Sequence, residues 1–329
     1  MTGWSINDYP IFFTNRPNLE PLTQLIELLR PRALDLKNLE GRGNWVLCFP
    51  ADKNIVFGLV MSGSCRFEAA GHPSVQLDAG DFLLMSAPPP WTLSKGEAGD
   101  FFEFDTLRHP SDLRIMSFGA GSDTTRIMGG YFCFDTANAE LLNTLMSQVI
   151  HIGCANRSAP ALRGIVELVD REASSARPGQ GFILNRLLEI MLVEALRTRS
   201  DAAEETELAR PGMLAGLADR QLACTLREIH ADIARHWTVA AMATTAGMSR
   251  SAFAERFTRI VGTPPVDYIV NWRMALAKDA LRFTSRPLIE IATATGYGSA
   301  SAFSTAFSRV VGCSPARYAR GQTGRDSDD

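Results

Sequence analysis

Six cysteines and five histidines are the side chains in this 329-residue sequence best suited to covalent, redox or metal chemistry. Their spacing closes most of those routes. Cys48, Cys65, Cys133, Cys154, Cys224 and Cys313 stand far apart, with no C-x-x-C pair, so neither zinc-finger spacing nor a dithiol redox motif is present. A disulfide framework is not expected in a chain of this length without an export signal. The first reading of these thiols is as small buried hydrophobes in a reducing compartment. The second is a thiol sensor, with Cys48, Cys65 and Cys133 as candidates because all three fall in strand-like segments. The histidines scatter. His72 falls in an expected hairpin turn, His109 before a proline, His151 near the end of an expected helix, and His230 and His236 towards the C-terminus. A metal needs three or four convergent donors, which this set does not offer, so no metal and no cofactor is expected. Nucleophile, zincin, P-loop and dinucleotide motifs are also missing, and no catalytic residue is assigned.

A different chemistry emerges in the C-terminal third, where a pattern occurs twice. Gly247 corresponds to Gly296 with a shift of 49, and Phe253, Phe257, Gly262, Pro265 and Tyr268 correspond to Phe303, Phe307, Gly312, Pro315 and Tyr318 with a shift of 50. Each copy predicts a short helix ending at a glycine able to take positive φ. A short turn follows, then a serine, Ser249 or Ser299, able to cap the next helix. That next helix buries a Phe pair at i, i+4 and exposes the opposite face, which is the grammar of a helix-turn-helix reading a major groove. Charge agrees. Residues 215–320 hold 13 Lys/Arg against 7 Asp/Glu, a net of +6, whereas residues 1–214 hold 19 against 26, a net of -7. The overall net charge of -3 therefore hides an acidic front and a basic back.

On these residues the segment from Leu217 to Arg320 resembles the AraC-type DNA-binding domain. The resemblance rests on IHADIARHWTVAAMA, on the connecting helix around Trp272, Arg273 and Met274, and on GYGSASAFSTAFSRVVGCSPARY. It implies seven helices, two of them recognition helices held against successive turns of one DNA face. It also implies a role in transcription regulation, with double-stranded DNA and RNA polymerase as partners. Carried over by position, the first recognition helix presents Ser249, Arg250, Ser251, Ala254 and Glu255, and the second presents Ser299, Ala300, Ser301, Ser304 and Thr305. Arg259, Arg309, Arg317 and Arg320 are candidate phosphate partners. Glu255 departs from the basic or neutral residue common there. It repels phosphate but can accept from cytosine N4. The second reading face is nearly uncharged, which predicts modest affinity per copy and dependence on a dimer or on bent DNA.

The front half must supply the rest. Leu19–Leu29 has helical spacing and stops at Pro31. From Trp45 onward, short runs of β-branched and aromatic residues punctuated by Gly, Pro and Asp predict a β-barrel or sandwich. Residues 137–152, 161–173 and 181–198 then carry helical periodicity. The last of these is apolar over more than one face, which either a second subunit or further burial within the chain would satisfy. WVLCFP, LVMSGSCRF and VQLDAGDFLLMSAPPPWTL resemble the cupin-type sensor domain that precedes AraC-type domains. Gly58 and Trp91 occupy the positions where that family places ligand histidines, which disfavours the alternative of a metal-dependent cupin enzyme with a helical appendage. Trp91 either plugs the barrel or stacks on a flat effector.

The expected protein is thus α+β with two domains: a cupin-like β-barrel with a helical hairpin, then an all-α double helix-turn-helix. Residues 1–199 form the sensor and dimerisation domain, 200–213 a linker, 214–320 the reader with units at about 238–260 and 287–310, and 321–329 a frayed tail. No segment is apolar for long enough to span a membrane and no signal peptide is evident, so a cytoplasmic location is expected, and the wide apolar face of residues 181–198 points to a homodimer. The signal is a small molecule or thiol oxidation. A constitutive DNA-binding protein with a purely dimerising front half is the further option.

Overall fold

A computed structural model describes residues 20–96, 99–104, 115–134, 149–153, 159–175, 177–202 and 211–322. These residues pack into two units. One holds the described residues between Pro31 and Ala202, and the other joins the first helix to everything from residue 211 onward. His109, Cys154, residues 137–148, the centre of the expected linker and the end of the expected tail lie outside the described residues.

The first unit contains eleven described strands: β1 Arg32–Arg42, β2 Trp45–Phe49, β3 Ile55–Ser62, β4 Ser64–Ala69, β5 Val75–Asp78, β6 Phe82–Ser86, β7 Trp91–Lys95, β8 Asp100–Glu103, β9 Ile115–Gly119, β10 Thr124–Cys133 and β11 Val149–Ile152. The expected closed barrel is not formed. The strands make two open sheets, one ordered β11-β6-β3-β10-β1-β9 and the other β5-β4-β7-β2-β8. Alternating burial, as in Trp45–Phe49, reports only that one face of a strand is covered, which a sandwich satisfies as well as a barrel. Between the sheets lies one apolar core, with Leu39, Val60, Leu83, Met85 and Ile127 from the six-stranded sheet meeting Trp45, Leu47, Phe67, Leu77 and Leu93 from the other.

The six-stranded sheet is buried on its second face too. Phe57 lies 4.9 Å from Phe132 and 6.2 Å from Phe82, ring centroid to centroid, on that side. The helical hairpin, α2 Ala159–Ala173 and α3 Gln180–Ala202, packs there against β1, β3 and β11. Burial on both faces explains the unbroken apolar run of β6. Helical spacing was expected to run on to Ile152. Instead Val149–Ile152 is the strand β11, paired antiparallel with Phe82–Met85, and His151 sits on a strand. The apolar positions of VIHI fit either period, and its partner is too distant in sequence to be visible.

Helix α1, Pro21–Leu29, has Glu20 as its cap, accepting from the Leu22 and Thr23 amides at 3.1 and 3.2 Å. It packs with the helices of the C-terminal unit. There follow α4 Met213–Ala218, α5 Leu222–Ala231, α6 Val239–Thr245, α7 Arg250–Val261, α8 Pro265–Phe283, α9 Leu288–Ala294, α10 Ala300–Val311 and α11 Pro315–Gln322. The run α5–α11 matches the seven helices implied by the resemblance, with the short α4 ahead of it. The 19-residue α8 buries residues around most of its circumference, including Tyr268, Trp272, Ala277 and Ala280. Such all-round burial suits a connector touching both copies of the repeat.

Candidate nucleic-acid interface and cavity

The two copies of the repeat fold alike. Gly247 and Gly296 take φ of +65° and +78° in the turns after α6 and α9, the left-handed region that costs a glycine least. Ser249 Oγ accepts from the Ala252 amide at 3.3 Å, and Ser299 Oγ accepts from the Ala302 amide at 3.1 Å. The cores repeat as well. Phe253 and Phe257 lie 5.5 Å apart at 46°, with Tyr268 edge-on to Phe257 at 5.5 Å. Phe303 and Phe307 lie 5.6 Å apart at 46°, with Tyr318 edge-on to Phe307 at 5.5 Å. Each recognition helix is therefore held by the same aromatic triad from below and presents the opposite face.

On that face Ser249, Arg250, Ser251, Glu255 and Arg259 are exposed and Ala254 is half-buried. In the second copy Ser299, Ser301, Thr305 and Arg309 are exposed, with Ala300 and Ser304 half-buried. Arg317 and Arg320 are exposed on α11. Among the described residues none of Arg250, Arg259, Arg309 and Arg317 is engaged in an ion pair, which leaves their guanidinium groups open to an external anion.

Sequence reasoning missed the groups that set the angle of these helices. Arg256 grips Asp219 through Nε at 3.2 Å and Nη2 at 2.6 Å, tying α7 to the α4–α5 turn. Asp219 also accepts from the Gln221 and Leu222 amides, capping α5. Burial works to raise the Asp219 carboxyl, but Arg256 and the Leu222 amide outweigh it and hold the group below its ordinary range. On α8, Arg273 donates to the Ile233 and Arg235 carbonyls at 2.8–3.0 Å and closes the end of the α5 segment. In the same unit Gln24, His230 and Tyr268 form a buried chain, and Arg30 pairs with buried Asp279 at 3.1 Å. No spacing rule links residues 206 positions apart, so only the pattern of Leu22, Leu25, Leu28 and Leu29 hinted that α1 had a partner.

The strand-rich unit holds an apolar cavity between the sheets that opens to solvent. Register explains it. Across the inner face of the six-stranded sheet one row reads Lys37, Gly129, Gly58, Leu83. The neighbouring rows carry Leu39, Ile127 and Val60 on one side and Tyr131, Val56 and Met85 on the other. Two adjacent glycines thus leave a gap in an otherwise filled layer, and a Cβ built on Gly58 meets nothing within 4 Å. Buried Lys37 stands at one end of the gap. Opposite, Trp91 stacks on Phe49 with rings parallel at 3.7 Å, and both line the space. Trp91 is only 6% exposed, yet it leaves room beside it. Among the described residues no His, Cys, Asp and Glu converge as a metal site. His151 instead contacts Asp81 at 2.8 Å, while His72 and His236 lie elsewhere.

Among the described residues each cysteine is a free thiol. Cys65 is buried in the cavity wall, Cys48 and Cys133 are half-buried, Cys313 is half-buried and Cys224 exposed. Burial pushes the Cys65 thiol up to about 12 and raises Cys133 too, with Asp52 adding to the latter. Such groups stay protonated at neutral pH and are poor nucleophiles.

A duplicated helix-turn-helix in one unit and an apolar cavity in a two-sheet unit define a DNA-binding protein with a separate sensor-type module. Comparison with known proteins makes this specific. Residues 20–201 match the Cupin family and residues 242–321 a Helix-turn-helix domain family. An AraC-like transcription regulator of Streptomyces lividans is 34% identical over 282 residues, covering 85% of this chain and 91% of that protein. One from Streptomyces antibioticus is 33% identical, covering 85% and 92%. The crystal structure of the DNA-binding domain of AdpA in complex with a target DNA matches 34% of this chain and 100% of that one, at 26% identity and a TM-score of 0.32. The chain belongs to the AraC-type family of bacterial transcription regulators and binds DNA through its helix-turn-helix domain. Its relatives are regulators, not catalysts. Among the described residues no helix is long and apolar enough to cross a membrane.

Proposed function

We propose that the chain is an effector-responsive cytoplasmic regulator in which the cavity between the two sheets takes a small apolar molecule and the two recognition helices read successive major grooves. Residues 200–213 serve as the linker between these tasks. The observation that carries the reading half is the pair of in-register helices α7 and α10, each pinned by an aromatic triad and edged by exposed arginines. Arg250, Ser251 and Glu255 address bases from the first helix, with Ser249 and Ala254 flanking. Ala300, Ser301 and Thr305 do so from the second, beside Ser299 and Ser304. Arg259, Arg309, Arg317 and Arg320 hold phosphates. A gel-shift titration with the upstream region of the protein's own gene tests this. A sequence-preferring shift is expected, with a log–log salt slope of about -4 per copy if those four arginines are the phosphate contacts. A slope near zero, or equal affinity for scrambled DNA, would sink the assignment.

The sensing half rests on the glycine gap. A cavity with aromatic walls and few polar groups suits a small organic ligand, while the raised thiols at Cys65 and Cys133 speak against oxidation as the signal. Gly58→Val places its Cβ in open space and directs its methyls into the gap. It is expected to stabilise the strand-rich unit by about 0.5–1 kcal/mol through the lost strand glycine and to abolish the response of DNA binding to whatever co-purifies. Urea unfolding and gel shifts before and after organic extraction read the two effects. A variant that is destabilised, or that still responds, counts against the cavity as the effector site.

A second copy of the chain fits the outer face of α3, where Phe182 is 68% exposed and Ile183 and Ile190 stand near it. Their helix already buries Leu184, Leu188, Met191, Leu192, Ala195 and Leu196 within the chain, so this surplus face is the one left for a homodimer. In a dimer four reading heads offset the sparse charge of each second helix, and RNA polymerase is the partner through which DNA occupancy acts.

A further inference from the structure

The repeat places chemically opposite residues at equivalent positions of the two recognition helices. With the shift of 50, Arg250 corresponds to Ala300, Ser251 to Ser301 and Glu255 to Thr305. The first helix thus offers a guanidinium and a carboxylate where the second offers two methyl-bearing side chains. Both Glu255 and Thr305 are exposed, on the side opposite the buried Phe pair. Thr305 has its hydroxyl committed inward, because Oγ1 donates to the Ser301 carbonyl at 3.1 Å one helical turn back. That bond fixes the side-chain rotamer and leaves the γ-methyl as the group Thr305 turns outward. Ala300 adds a second methyl at the tip of the helix, beside the cap Ser299.

The geometry points to a division of labour in which α7 reads base edges by charge and hydrogen bonds, whereas α10 reads thymine C5-methyl groups through the methyls of Thr305 and Ala300. The major groove marks a T·A pair with that methyl, and alanine and threonine methyls are the side-chain groups that meet it. Such contacts are short-range and uncharged, so the methyl readout itself adds specificity with little salt dependence, which stays with the flanking phosphate-binding arginines. This inference rests on α10 lying in a major groove.

The test uses the full-length protein and a duplex containing its footprinted site in the upstream region of its own gene. Each thymine under the second half-site is replaced in turn by deoxyuridine, which removes the methyl and nothing else. At one or two positions affinity is expected to fall about fourfold, the loss of one buried methyl-sized group. Thr305→Val keeps the methyl and discards the hydroxyl, and is expected to bind like the parent. Thr305→Ser keeps the hydroxyl and discards the methyl. It is expected to lose about fourfold on the thymine site and to be indifferent to the uridine replacement. Far-UV circular dichroism confirms that both variants stay helical. Uridine tolerated at every position, or Thr305→Ser binding fully while Thr305→Val does not, overturns the inference. Absence of any footprint by the parent protein would instead overturn the DNA-reading assignment beneath it.

Discussion

Phe307→Ala is expected to lower the unfolding free energy of the helical unit by about 3–5 kcal/mol, the usual range for deleting a buried phenyl ring. Phe307 is fully buried among Met274, Ala277, Ile291 and Ala292, and it touches Phe303 and the edge of Tyr318. The ring is therefore the common support of α8, α9, α10 and α11. Removing it opens a cavity beneath α10 that neighbouring side chains on rigid helices cannot close. Because a domain of this kind is held by only about 5–15 kcal/mol in total, the second recognition helix is expected to fray first and site-specific binding to fall with it. Phe257→Ala, its counterpart, is expected to cost more. Its edge partner Tyr268 is also tied to His230, so the damage spreads into a second buried network. Urea midpoints followed by circular dichroism compare the two. A cost under about 1 kcal/mol for Phe307→Ala would mean that the triad does not set the position of the second helix.

The repeat was legible because everything it needs is local. A glycine after a short helix, a capping serine and two phenylalanines four apart fix each copy without reference to the rest of the chain. What lies across from a buried face is not local. The strands of the front half announced their buried sides, yet Trp45 and Val60 say nothing of whether they belong to one closed sheet or two open ones. VIHI at Val149–Ile152 read as helix because its strand partner, Phe82–Met85, lies more than 60 residues earlier. Gly58 stands where the resemblance places a ligand histidine. Its larger consequence, a gap shared with Gly129, depends on cross-strand register and was invisible until the strands were paired. The exposed residues proposed to read DNA came with the family resemblance, carried over by position, whereas the brackets that hold their helices, Arg256 on Asp219 and Arg273 on the Ile233 carbonyl, join residues 37 and 40 positions apart and carry no periodic signal.

Acidification from pH 7.5 to pH 5 is expected to cost the helical unit about 2 kcal/mol through His230 alone. The imidazole is buried between α1, α5 and α8, with Trp272 edge-on at 4.4 Å. Gln24 Nε2 donates to the His230 carbonyl at 3.1 Å, which turns Gln24 Oε1 towards Nδ1 at 3.0 Å. Nδ1 is thus the protonated nitrogen, and Nε2 accepts from the Tyr268 hydroxyl at 2.7 Å. Burial raises the Tyr268 phenol, so it remains a donor. A second proton on His230 would displace that donor inside an apolar core. Burial accordingly holds the imidazole down from 6.5 to about 3. The sign follows from linkage. Below pH 6.5 the unfolded chain takes the proton and the folded chain does not, so stability is complete above 6.5 and drains away as pH falls towards about 3. His230→Gln removes the titration while keeping a donor and an acceptor. It is expected to be less stable than the parent at pH 7.5 by about 1–3 kcal/mol, because the two partners lose their matched geometry. Between pH 7.5 and 5 it should hold nearly constant while the parent declines. Urea unfolding of both proteins at the two pH values decides the matter: parallel declines would place the acid sensitivity elsewhere, whereas convergence of the two at pH 5 would locate it in the chain that binds α1 to the reading unit.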